Sequence, residues 1–280
     1  PLLSVIFKLF GNFLPNNFHH FGIWIFICFF LQSYIAFLII NHLTKNLTFS
    51  IIASLFFLVS PVLFSRILHH LSLSAHWLIL LGFYIEIKNE LTKKTFYWTA
   101  LISLSALIHF YFTIILLGMF FLFVLNEHII NFKIKKLITQ ISLPFFFLFI
   151  IMYIFGYFEL PFTDALGHGY GYYKLDLTNI INPISITPKS IIDWSLFLPE
   201  IFKNMGGQVE GFGYLGVGGV VLLIIIIFYV FFNFTELKNK KYRPYLLIII
   251  LFSLVALTNR IFFASNLLFE IELPKYIYGI

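Results

Sequence analysis

Long apolar runs alternate along this chain with short polar breaks, and most of the charge in those breaks is basic. A bilayer core about 30 Å thick takes about 20 apolar residues as one helical crossing. The run at 21–41 fits one crossing and ends at Lys45. As one helix, the next run at 48–87 would measure about 60 Å, so it reads as two crossings. Their break is marked by Pro61 and by a polar cluster of Arg66, His69, His70, Ser72, Ser74 and His76. The run at 95–126 would measure about 48 Å. Here loop charge decides between one tilted span and two short ones. Lys88, Lys93 and Lys94 precede the run, and Lys133, Lys135 and Lys136 follow it. Positive loops prefer one side of the membrane, so the run reads as a hairpin turning near 109–112. Further crossings are expected at 137–157, 216–234 and 245–258. Residues 1–14 read as an interfacial amphipathic helix or the tail of an earlier external loop.

The fold class expected is therefore an all-α membrane protein with about eight transmembrane helices, some short or paired as hairpins. The segment 158–215 forms one large external loop of mixed short helices. With both ends of the chain outside, 11 of the 18 Lys and Arg residues fall in the short loops of one face.

Composition agrees. The chain is 60% hydrophobic and 11% charged, with mean hydropathy +0.96. A soluble domain carries about 25% charged residues, so this chain lacks the polar surface of a water-soluble globule. The net charge of +6 is read as orienting loops, not as a nucleic-acid surface. The single cysteine, Cys28, rules out a disulfide within the chain. Phe supplies 39 residues, with Ile, Lys and Asn abundant, a bias in keeping with an AT-rich bacterial genome. The expected location is thus a bacterial inner membrane, crossed many times. The first residue is Pro1 and the last is Ile280 in an apolar stretch. The expectation is one transmembrane domain over 1–280, cut at both ends from a longer protein.

Chemistry is expected where polar side chains gather at the outer ends of spans, since burying them in lipid is costly. In RILHHLSLSAHW, Arg66 and His70 share a helix face, as do His69 and His76. An arginine there holds a phosphate as a fixed bidentate cation, and the histidines donate to a phosphate or bind a metal. The alternative is that these side chains snorkel to the headgroups while Trp77 anchors the interface. His109 with Tyr111, at the hairpin turn, is a second candidate, weighed against a structural histidine at a helix break. The external segment is the third. Residues 156–219 hold 11 of the 16 glycines, in GHGYGYYKLDLTNIINP and GGQVEGFGYLGVGG. Glycines interleaved with aromatics give flat stacking faces on backbone that a ligand can approach, and such faces suit sugars. Asp164, Asp176, Asp193, Glu200 and Glu210 supply acids on that side, able to act as a base or to hold a divalent metal ion.

QVEGFGYLGVG, with GYYKLDLTNIINP upstream and SRILHHLSLSAHWLIL before both, resembles a bacterial family of uncharacterised GT-C-type membrane proteins, similar to polyprenyl-phosphate-dependent glycosyltransferases. FHHFGIWIFICFFLQSYIAFLI fits the same pattern. The resemblance implies a helical membrane enzyme whose site faces the periplasm and takes sugar from a lipid phosphate. It also implies a first span and an external loop, bearing the acid proposed as catalytic base, that lie outside these 280 residues. No catalytic residue is carried over. His69, His70, His76, Glu210 and Tyr214 match as site candidates. The partners implied are the bilayer and a polyprenyl-phosphate sugar. Two readings compete: a transporter or flippase of lipid-linked saccharide, and a non-catalytic membrane subunit.

Overall fold

The computed structural model describes residues 2–15, 18–88, 93–130, 132–159, 176–186, 191–197, 212–233 and 242–272. The chain forms two compact units, one of Pro1–Val59 with Arg66–Phe158, the other of Ser60–Ser65 with Glu159–Ile280.

The first unit is helical. It contains α1 (Leu2–Leu9), α2 (Phe21–Thr44), α3 (Leu47–Leu58), the last turn of α4 (Pro61–His69), α5 (Trp77–Ile87), α6 (Lys94–Ile108), α7 (Phe110–Ile130) and α8 (Ile134–Ile154). Among the described residues, Phe21–Thr44, Phe110–Ile129 and Ile134–Ile154 are long and apolar enough to cross a membrane. The bent pair Leu47–Leu58 and Pro61–Leu68 makes a fourth if counted as one span. The expected break at Pro61 is present, with proline at the first position of α4, where its missing N–H costs nothing. Trp77–Ile87 and Lys94–Ile108 are shorter than the twenty-residue norm.

Large apolar side chains point outward, among them Phe26, Phe30, Phe146 and Phe149, all more than half exposed. That inverts the rule for soluble proteins and suits a lipid solvent. The interior is assembled from single helix faces. On α2 the buried positions are Trp24, Cys28, Gln32, Ile35 and Ala36, a stripe at three- and four-residue spacing. Helix α6 is the most enclosed, burying Trp98, Thr99, Leu101, Ile102, Ser103, Ser105, Ala106 and Ile108. Small side chains let neighbours approach. A Cβ on Gly82 of α5 would lie 3.0 Å from Trp98 and 3.3 Å from both Leu116 and Met119.

Polar contacts define the hairpins. Asn46 caps α3 by accepting from the Phe49 amide at 3.0 Å, after Lys45 closes α2 with φ 55°. Glu86 joins α5 to α6, accepting from Trp98 Nε1 at 2.7 Å and from Lys94 Nζ at 3.1 Å. Between α6 and α7 only His109 is non-helical. Trp98 packs on Phe120 and Phe123, so the two helices run antiparallel, as loop charge required. Glu127, His128, Gln140 and Lys136 join α7 to α8. Trp24 and Cys28 near the start of α2 meet Leu71 and Ser74 just before α5, so α2 and α5 run parallel. It follows that the turns bearing Lys45, Lys88, Lys93, Lys94, Lys133, Lys135 and Lys136 share one end of this unit. His20, His70, His76 and His109 stand at the other.

The second unit contains α9 (Gly216–Phe232), α10 (Arg243–Leu257) and two antiparallel ladders, β1 (Ile184–Ile186) with β2 (Ile191–Asp193) and β3 (Arg260–Phe263) with β4 (Asn266–Glu270). The described part of 158–215 thus holds a two-stranded ladder and a 3-10 turn at Leu177–Ile180, where short helices were expected. No strand was foreseen after the last apolar run either.

Candidate functional site at the histidine-bearing rim

The rim opposite the lysines is built by one short turn. Residues Leu71–Ser74 form a 3-10 helix pinned to α2. Trp24 Nε1 donates to the Leu71 carbonyl at 2.7 Å, and Ser74 Oγ lies 2.6 Å from that oxygen and 3.4 Å from Cys28 Sγ. With this turn fixed, His70 is presented on one side and His76 on the other. The His70 amide closes the last turn of α4 on the Arg66 carbonyl at 2.7 Å, which keeps His70 and Arg66 on neighbouring turns.

His76 sits just before the first residue of α5, partly buried, with its ring edge against Phe112 at 6.1 Å. Burial, and then the charge of Arg66, push its pKa down from 6.5 to about 4. The imidazole is therefore neutral at physiological pH, a hydrogen-bond donor and acceptor with no charge of its own. Arg66 is half-buried, and the fixed positive charge felt at this rim is its own.

His109 joins the same group, since the Phe112 amide donates to its carbonyl at 3.1 Å. Its own backbone is extended, φ −160° and ψ 130°. Its Nδ1 accepts from the Tyr111 amide at 3.2 Å, and its ring packs on Tyr111 at 4.7 Å. One ring nitrogen is thus spent starting α7. The structure therefore brings Arg66, His70, His76 and His109 to one rim. His69 closes α4, and its side chain lies outside the described residues.

Tyr214 belongs to the second unit. It is buried to 1% exposure against Phe212, which in turn packs on Trp194 at 5.8 Å. The Tyr214 hydroxyl finds no hydrogen-bond partner among the described residues. Glu210, Asp164 and Glu200 lie outside the described residues. Asp193 accepts from the Ser195 amide at 3.0 Å in a local turn. Asp176 is fully buried and committed. Its Oδ1 accepts from the amides of Thr178 at 2.9 Å and Ala264 at 3.1 Å, and from the Thr178 hydroxyl; Oδ2 accepts from the Ser265 amide at 2.8 Å. Such a carboxylate organises backbone, with both oxygens already accepting hydrogen bonds within the protein. Among the described residues no three His, Cys, Asp or Glu side chains converge as a metal site.

Sequence reasoning passed over His20. It lines a cavity of about 390 Å³ with Ser4, Trp24, His70, Ser72 and Ile108. The pair His19–His20 before a long apolar run was the available signal.

Fold and rim together define a mostly helical protein with apolar helices able to cross a membrane and a polar, histidine-bearing end. The chain matches a domain of unknown function, DUF6311, over residues 1–280, and it belongs to that family. No curated protein and no solved structure matches it.

Proposed function

We propose that this protein transfers a sugar from a polyprenyl-phosphate donor to a cell-envelope acceptor at the periplasmic face of a bacterial inner membrane, on a GT-C-like bundle of about eight crossings. The observation that carries the reading is the polarity of the first unit. Arg66, His70, His76 and His109 gather at the end opposite the lysine-bearing turns, and such turns stay in the cytoplasm. In this transfer the acceptor oxygen bonds to the sugar's anomeric carbon while the bond from that carbon to the phosphate oxygen breaks. The polyprenyl phosphate leaves with the bonding electrons, and a base takes the acceptor's proton. Charge grows on the departing phosphate, so donors fixed there lower the barrier. Arg66 supplies the charge. His70 and neutral His76 supply N–H groups, with His69 beside them in sequence.

The test supplies membranes containing the full-length protein with radiolabelled polyprenyl-phosphate sugars and follows label into envelope acceptors. Wild type should transfer label, and Arg66→Ala should lose at least about 100-fold while remaining folded. Label that never leaves the donor, while the donor crosses the bilayer, would overturn the reading in favour of a flippase.

A further inference from the structure

We propose that the cavity beneath α1 holds the phosphate head of an amphiphile, with His20 and His70 as its donors. The proposal deepens the reading of the rim as a phosphate site. It stands on binding alone, so it holds or fails whether or not sugar is transferred.

Four observations carry it. The cavity, about 390 Å³, is lined at its polar side by Ser4, His20, His70 and Ser72, and among the described residues no carboxylate lines it. Imidazole N–H and hydroxyl groups without a competing acid suit a head rich in acceptor oxygens. Arg66 lies one helical turn before His70 in the same stretch of chain. Next, the donors are held in place. His20 stacks on Phe7 at 5.8 Å with ring planes 21° apart, and His70 follows directly on α4. The Trp24 indole N–H is already given to Leu71, so that ring serves as a wall. Third, the remaining walls are apolar, including Leu3, Phe21 and Ile108, which a free anion would not use. Last, α1 buries none of its residues, and its Val5, Ile6 and Leu9 are exposed beside the cavity-lining Leu2, Leu3 and Ser4. An amphipathic helix of this kind lies in a membrane interface. A lipid chain leaving the cavity along it would stay among apolar side chains.

The experiment titrates the full chain in phosphatidylcholine nanodiscs with dodecyl phosphate, dodecanol and inorganic phosphate by calorimetry, subtracting empty discs. Dodecyl phosphate should saturate, with dodecanol and inorganic phosphate each at least about tenfold weaker. His20→Ala and His70→Ala should each weaken dodecyl phosphate about tenfold, and His20→Gln, which keeps an N–H donor, should recover most of the loss. Ser4→Trp, at an exposed position of α1, should fill the cavity and abolish binding without touching the bundle. Inorganic phosphate binding as tightly as dodecyl phosphate would make this a free-anion site and overturn the proposal. So would full affinity in Ser4→Trp and His20→Ala.

Discussion

Ser105 and Thr113 stand at equal distance along the chain from His109, and their hydroxyls meet at 3.0 Å with both residues fully buried. That contact staples the hairpin of α6 and α7 about three helical turns beyond Lys94, at the end away from the lysines. In apolar surroundings such a pair has few other partners. A double-mutant cycle of Ser105→Ala and Thr113→Val should give a coupling of about 0.6 kcal/mol, the usual scale for side-chain hydrogen bonds between membrane helices. Unfolding in detergent measures it, and a coupling near zero would mean that packing alone closes the hairpin.

Gly82 marks a close approach of α5 to side chains of α6 and α7. A methyl group there would press on Trp98, Leu116 and Met119, of which Leu116 and Met119 are fully buried and Trp98 nearly so. Overpacking of this kind costs about 1–3 kcal/mol. Gly82→Ala should lower the unfolding midpoint, and Gly82→Leu should prevent a stable fold. An unchanged midpoint in Gly82→Leu would contradict the packing described for these helices.

Asp176 holds the turn of the β3–β4 hairpin, where Ala264 and Ser265 adopt φ 47° and 66°. Asp176→Ala leaves three amides without their acceptor, each at about 1–3 kcal/mol if it stays dry. Hydrogen exchange at Ala264 and Ser265 should speed up by at least about tenfold, which corresponds to 1.4 kcal/mol. Were Asp176 instead a catalytic base, its replacement would abolish activity while exchange at those amides stayed slow.

His76 gives the fold a pH dependence. The folded protein holds its pKa near 4, whereas the unfolded chain has the ordinary 6.5. The unfolded state therefore binds the proton first, and stability falls as pH drops from 6.5 toward 4. Above 6.5 this contribution is complete. Thermal midpoints between pH 7.5 and 4.5 should decline less steeply in His76→Gln than in wild type. Equal slopes would mean that other groups govern the acid limb.

The helical plan was legible because lipid leaves few choices. Apolar run length gave α2 and α8, and the lysines on both flanks of 95–126 gave the turn at His109. Helix α6 is short, as the hairpin expected over 95–126 required, and neighbours cover much of its surface; Trp98 and Ile102 show this directly. The β3–β4 hairpin was hidden for another reason. Its turn is Ala264–Ser265, not the Asn-Gly or Asp-Gly pair that favours positive φ. The conformation is paid for by Asp176, 88 residues upstream of Ala264. At the rim, Arg66, His70 and His76 were visible as polar residues interrupting an apolar run. His20 was not, because its cavity exists only once α1 folds back and Phe7 meets its ring.

Which end of the first unit faces outward decides on which side of the membrane the Arg66 rim lies. With buried Cys28 replaced by Ser, single cysteines at Tyr111, beside the histidine-bearing rim, and at Lys135, among the lysines, would be labelled in intact cells with a membrane-impermeant maleimide. Position 111 should be labelled from outside, and position 135 only after the membrane is opened. Labelling of position 135 in intact cells, with position 111 protected, would turn the bundle over and place the Arg66 rim in the cytoplasm, contradicting transfer at the periplasmic face.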